Sequence, residues 1–410
     1  MARWGEGEFV GRFDGRGESR EKGERKRPRL FCGVVAVPLA FLGLGVYRAW
    51  IEIVFVGSFV EFPAMAFSGR DVFDLTMVVT AVACTLLARR IGPFFNKPLV
   101  FAVCGVALTA STALMFASCW LPGIAPAAGL PAGVLGGFGI ALLILFWSEL
   151  YGCLNPLRVA LYYSASIVAG ALLLYVYRGF MLPWLFVMTA LLPALSLVGL
   201  RRGFAGLPAA ELPSTSWTRF SVPWKAVLFM AAYAFAYGLM EGDLYAGAFG
   251  PHSAPGALAV GLLVFLGVAV RGGRFDFGII YRVALPLMVV ALFLVPALGH
   301  IQGTAASFCV SAGYTAQSIL IMLIMANICY RYGVSAIWLF GIERSVRQVS
   351  MWLGRLLTDG AQRPDVLGGH GEMLLSPPTV VALAVATPPL SSARALSRRW
   401  GPHLLAGGAA

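Results

Sequence analysis

Charge is scarce in this sequence. Only 12% of its 410 residues are Asp, Glu, Lys or Arg, against about 25% in an ordinary soluble domain, while 59% are hydrophobic. A chain of that composition cannot cover itself with polar surface, which excludes a water-soluble globule. The charge is also uneven: residues 1–30 hold 9 of the 31 basic and 6 of the 19 acidic residues, leaving 22 and 13 for the other 380. Paired cysteines are missing too. The seven cysteines, at 32, 84, 104, 119, 153, 309 and 329, stand singly in apolar runs without CxxC or metal-ligand spacing, and read as small packing residues. There is no GxxxxGK[ST] loop, no HExxH and no GxSxG in a strand–turn–helix setting, so no catalytic residue, metal or cofactor is expected, and an ATP-driven pump or a sensor kinase would need a separate subunit to supply the missing part.

What is present is a succession of long apolar runs broken by Pro, Gly and charge. With about 20 apolar residues needed for one bilayer crossing, twelve spans are expected: 31–58, 72–88, 98–119, 128–148, 157–177, 180–200, 223–242, 254–271, 277–299, 303–327, 334–357 and 373–391. The last is the poorest, with prolines at 377, 378, 388 and 389. These give two six-helix halves of nearly equal length, 31–200 and 223–391, joined by the polar connector 201–222. Such an arrangement suggests an internal duplication about an axis along the membrane normal. Residues 1–30 are too long and too mixed in charge for a signal-peptide start and read as a disordered basic cytoplasmic tail, and 392–410 as a second short one. The expected fold class is all-α, a polytopic membrane protein with the lipid bilayer as its principal partner.

The net charge of +12 resembles a nucleic-acid signal until the basic residues are placed on the chain. With the N-terminus in the cytoplasm, 24 of the 31 fall on the cytoplasmic side, three outside (Arg70, Arg178 and Arg363) and four within or at the ends of spans. That bias is the positive-inside pattern, and it orients both termini toward the cytoplasm of a bacterial inner membrane.

An ionisable side chain in mid-membrane costs at least a few kcal/mol, so each is a candidate for a solute path or a pair. In the first span Arg48 and Glu52 are four apart, on one helical face and able to pair. The alternative is that Arg48 ends a shorter span at the interface. In GIERSVRQ, Glu343 and Arg347 share a face with Arg344 turned about 100° away. This stripe belongs in the bundle interior, as a structural pair or a ligand contact. Tyr314, Gln317 and Asn327 form a polar stripe in the tenth span that either joins helices or faces a ligand. Glu241 and Asp243 put two carboxylates near the outer mouth, and His300 borders an outer loop. Gly133, Gly136, Gly137 and Gly139 allow close helix approach in the fourth span. Glu149 and Arg158, separated by the Asn155-Pro156 turn, form the expected cytoplasmic-side pair, with Arg90 a further gating candidate. The ligand candidates are Arg48, Glu52, Gln317, Glu343 and Arg347, for an unknown small-molecule ligand.

The loop LLARRIGPFFNKPL, residues 86–99, resembles the cytoplasmic loop signature G-x-L-A-D-R-x-G-R-R of the major facilitator superfamily through Ala88, Arg90 and Gly92. It departs from that signature at Arg89, which stands in the acidic position, and at Pro93 and Phe94, which replace the basic pair. With twelve spans in two halves, the resemblance implies a facilitator-like architecture. The stretch FWSELYGCLNPLRVALYYSASIVAG (146–170), with LGLGVYRAWI and SAIWLFGIERSVRQVSMWLGRLL, resembles the membrane portion of bacterial LuxR-type regulators that carry a facilitator-like domain before a C-terminal helix-turn-helix. LSRRWGPHLLAGGAA stands where that reader would begin, so direct nucleic-acid binding is not expected of this chain. The resemblance implies a sensory, ligand-binding membrane module. The alternative is a secondary transporter of a small solute.

Overall fold

The computed structural model of the chain describes residues 37–57, 59–63, 69–213, 222–245, 253–272, 275–298 and 303–361. Among them run eleven long helices and no β-strand: α1 (Leu39–Val56), α2 (Gly69–Leu86), α3 (Pro98–Trp120), α4 (Ala125–Gly152), α5 (Pro156–Tyr177), α6 (Leu182–Ala205), α7 (Trp224–Tyr245), α8 (Ala254–Arg271), α9 (Gly278–Leu298), α10 (Gly303–Tyr332) and α11 (Ala336–Ala361). Each of the first eleven expected spans coincides with one of these helices. The twelfth, at 373–391, and both tails lie outside the described residues, as do His300 and the side chain of Asp243.

The helix starts follow from local chemistry. Pro98 and Pro156 open α3 and α5, where a missing N–H costs nothing. Asn155 caps α5 by accepting the Arg158 backbone N–H at 2.9 Å, so the expected Asn-Pro turn is present. Gly333, at φ 60°, reverses the chain between α10 and α11, a left-handed position that a side chain would strain. Two expected boundaries need correcting. The connector does not begin at 201, because α6 continues to Ala205. Arg202 lies in its last turn, where a cation complements the exposed carbonyls. Likewise α2 begins at Gly69, not 72, and takes Arg70 out of the loop and into its first turn.

Seven helices, α1, α3, α4, α5, α6, α8 and α10, are long and apolar enough to cross a membrane. Three of the others, α2, α7 and α11, carry charge in their spans, and they pack on one another, α11 against both α2 and α7. Charge that lipid would reject is thereby turned into the bundle.

The helix pairs repeat with an offset of six. α2 packs on α4 as α8 does on α10, α3 on α4 as α9 does on α10, and α1 on α5 as α7 does on α11. Across the two halves, α5 meets α8 as α11 meets α2, and α4 meets α11 as α10 meets α5. Small residues permit the approach: a Cβ on Gly137 would collide with the Phe73 carbonyl of α2, and one on Gly139 would come within 2.7 Å of Leu108 of α3. The expected role of those glycines in packing is what the structure shows. Within the first half, buried polar groups tie α1 to its neighbours. Trp50 Nε1 donates to Thr112 Oγ1 at 2.8 Å, Trp147 Nε1 to Ser196 Oγ at 2.9 Å, and Ser196 Oγ in turn to the Gly43 carbonyl at 2.8 Å. In a lipid environment such donors find no other partner.

Candidate solute-binding cavity

Where the two halves face each other they line a cavity of about 130 Å³, with walls from α1, α2, α4, α5, α7, α10 and α11. That is room for a small solute and not merely one water. Its wall carries Arg48, Glu52, Arg70, Glu241, Arg344 and Arg347, with the rings of Tyr47, Tyr163, Tyr237 and Tyr314.

At mid-depth on α11, Glu343 is fully buried and ion-paired to two guanidinium groups. Arg347 Nε lies 3.3 Å from one carboxylate oxygen and Arg344 Nε 3.3 Å from the other. The expected Glu343–Arg347 pair therefore forms. Arg344 does not turn away, because its long side chain folds back to the same carboxylate and reaches the cavity wall. On α1 the expected Arg48–Glu52 pair does not form. The helix widens into a five-residue turn from Glu52 to Val56, and the Glu52 carboxylate accepts from Oγ of Ser253, the residue that precedes α8, at 2.6 Å. Arg48 lines the cavity and makes no hydrogen bond or ion pair among the described residues. Gln317 is buried within the bundle but is not part of the cavity wall, so that candidate is corrected. Its amide oxygen has no hydrogen-bond partner among the described residues, nor has that of Asn327.

One end of the bundle carries Arg89, Arg90, Lys97, Arg158, Arg201, Arg202 and Arg331 and is here called the basic end. At the opposite, far end a charge network crosses between the halves. Arg70 of α2 bonds Asp74 at 3.2 Å on its own helix and Glu241 of α7 at 3.1 Å. Arg355 of α11 pairs with Asp71 of α2, lies 2.8 Å from Asp74 and 3.8 Å from Glu241. Gln348 Nε2 donates to Asp74 Oδ1 at 2.8 Å. Each half thus sends one arginine into the other half's acids. Sequence reasoning found only Glu241 here. The signal it missed was the Arg70/Asp74 spacing and the continuation of the α11 polar face through Gln348, Met351 and Arg355.

The basic end is closed differently. Gly341 of α11 abuts Thr85 of α2 so tightly that a Cβ would collide with the threonine hydroxyl. Across the same end, a Cβ on Gly152 would lie 3.1 Å from Cys329 Cβ and 3.3 Å from Ala336 Cβ. The expected Glu149–Arg158 pair is absent. Glu149 is buried and accepts the backbone N–H groups of Phe94 and Phe95 at 3.0 Å, while Arg158 pairs at 3.4 Å with Glu211, half-exposed. The α2–α3 loop leaves two buried N–H groups with no helical partner, and a carboxylate satisfies both. Arg90 is exposed on the short helical turn Ala88–Ile91, and its side chain makes no hydrogen bond or ion pair among the described residues. Burial pushes the nearby Cys153 thiol up to about 12, with the Glu149 and Glu211 carboxylates adding to the shift, so it stays protonated and unreactive. Among the described residues no three His, Cys, Asp or Glu side chains assemble as a metal site would require.

Comparison with solved structures follows the same architecture. The human organic anion transporter MFSD10 (TETRAN) superposes with a TM-score of 0.55 at 12% identity, over 86% of this chain and 98% of that one. A bacterial homologue of the iron transporter ferroportin, in its outward-facing state, gives 0.52 at 12% identity, over 85% and 96%. The chain has the major facilitator fold. The E. coli fucose:proton symporter FucP, at 0.50 and 12% identity over 86% and 96%, agrees. No family model matches the sequence, and no curated protein matches it. At such identity the facilitator fold is what is shared, and the three proteins are named for different cargoes.

Proposed function

We propose that this chain is a secondary transporter of a small solute, working by alternating access about the central cavity. The observation that carries this reading is a cavity with charged walls, lying between the two halves and flanked at both ends by contacts that cross between them. Rocking one half against the other breaks one set of crossing contacts while the other holds, and the fixed central site then faces each side in turn. Charge in a bilayer interior costs about 2.5–3.5 kcal/mol per residue on insertion scales, so five arginines and five acids gathered between the halves need a wet or ligand-bearing interior. The positive-inside bias supports a basic end in the cytoplasm of a bacterial inner membrane, with the far end outside.

The fold of the three neighbours supports transport. The LuxR-type resemblance supports the alternative, a sensory module in which ligand fills the same cavity and nothing crosses. Purified protein in sealed vesicles separates the two. Gradient-dependent, saturable flux of a bound solute is the expected result. Saturable binding with no flux under any imposed gradient overturns transport in favour of sensing.

A further inference from the structure

We infer that the cavity selects a small organic anion, a carboxylate carried on an apolar or aromatic body, with Arg48 as the principal charge contact. This rests on the transporter reading for the ligand's route, though not for its charge.

The argument is an inventory of donors and acceptors on the cavity wall. Both lining carboxylates are engaged, Glu52 by Ser253 and Glu241 by Arg70, and behind the wall Glu343 is engaged by Arg344 and Arg347. The groups left without a hydrogen bond or ion pair among the described residues can all donate: the Arg48 guanidinium and the hydroxyls of Tyr47, Tyr163, Tyr314, Ser166 and Ser318. Arg48 and Arg347 both lie within electrostatic reach of all three tyrosines, which places Arg48 and the three phenols around one space.

Charge is also segregated along the cavity. At mid-depth Arg48, Arg344 and Arg347 meet two carboxylates, Glu343 and Glu52, whereas toward the far end Asp71, Asp74 and Glu241 face Arg70 and Arg355. A ligand at mid-depth therefore meets a surplus of positive charge and unfilled N–H and O–H donors. A planar carboxylate fits the guanidinium fork and the phenols, and rejects an ammonium group in its place. Paired rings such as Tyr237 and Tyr314, with centroids 4.6 Å apart, offer flat apolar surface for the remainder.

The test uses one ring in three charge states. Thermal unfolding of the purified full-length protein is followed with benzoate, benzamide and benzylammonium. Benzoate alone is expected to raise the unfolding temperature, saturably, and Arg48→Gln to weaken it by about tenfold or more, the worth of one hydrogen bond to a charged group. Tyr163→Phe, which deletes only a hydroxyl, gives a smaller loss and keeps the inference testable if Arg48→Gln fails to fold. A shift from benzylammonium or benzamide that equals or exceeds that of benzoate overturns the inference, and so does the absence of any shift from benzoate. Flux of labelled benzoate in vesicles is read separately. Binding without flux defeats the transporter reading and leaves anion selectivity standing, whereas flux of benzylammonium instead defeats anion selectivity and leaves transport standing.

Discussion

The two ends of the bundle close the same cavity by different physics. The far end is held by a crossed charge network, in which Arg70 and Arg355 from opposite halves share Asp71, Asp74 and Glu241. The basic end is held by close apposition of small residues, Gly341 on Thr85 and Gly152 on Cys329 and Ala336. A charge network resists opening only while water is kept out, because each ion regains its hydration once the halves part. Small-residue contacts carry no such stored hydration and depend on how closely the backbones approach. The far end is therefore the one whose opening responds to single charges, and the basic end the one whose opening responds to single methyl groups.

The largest effect that would break this contrast is at Arg355. Arg355→Ala leaves fully buried Asp74 with Arg70 as its remaining cation, and breaking such a buried pair costs about 3–5 kcal/mol. The expected outcome is a lower unfolding temperature together with fast labelling of a Met351→Cys reporter, a cavity-lining position, from the far side only. At the basic end Gly341→Val wedges α11 from α2 at about 1–3 kcal/mol, the usual cost of overpacking. It is expected to expose Cys329 to a maleimide from the basic side and leave the far-side reporter silent. If both substitutions open the same end, the contrast between the ends is wrong.

Two smaller effects sharpen it. Glu149→Gln retains one acceptor oxygen for Phe94 and Phe95 but puts an amide donor in place of the other, a change of about 1–2 kcal/mol. It should loosen the α2–α3 loop, seen as faster amide exchange at those two residues. Arg158→Ala removes only a half-exposed pair and should move stability by under about 1 kcal/mol, with flux unchanged. That small value separates Arg158 from the gate.

The helices were legible because span recognition needs only the length and apolarity of a run, and eleven expected runs coincide with the described helices. Pairing was less so. Glu343 with Arg347 was readable, being an i,i+4 relation on one regular helix. Arg48 with Glu52 has the same spacing and yet does not pair, because the helix widens at Glu52 and Ser253, some two hundred positions away, supplies the partner. Glu149 was recognised as special and given the wrong partner, since loop N–H groups leave no trace in side-chain identity. The far-end network was missed because Arg70 and Arg355 sit at span ends, where an arginine ordinarily meets water or headgroups. Their meaning comes from the pairing of α2 with α11, which no local pattern encodes.

Alternating access is tested most directly by placing a single reactive thiol on the cavity wall. Ser318→Cys, in a chain with Cys32, Cys119 and Cys309 changed to Ser and the basic-end Cys153 and Cys329 changed to Ala, would be reconstituted and labelled with a membrane-impermeant maleimide applied to one face at a time. Labelling from either face, slowed from the basic side by conditions that speed it from the far side, is the predicted result. Labelling from one face alone, under every gradient and with or without bound solute, would contradict it.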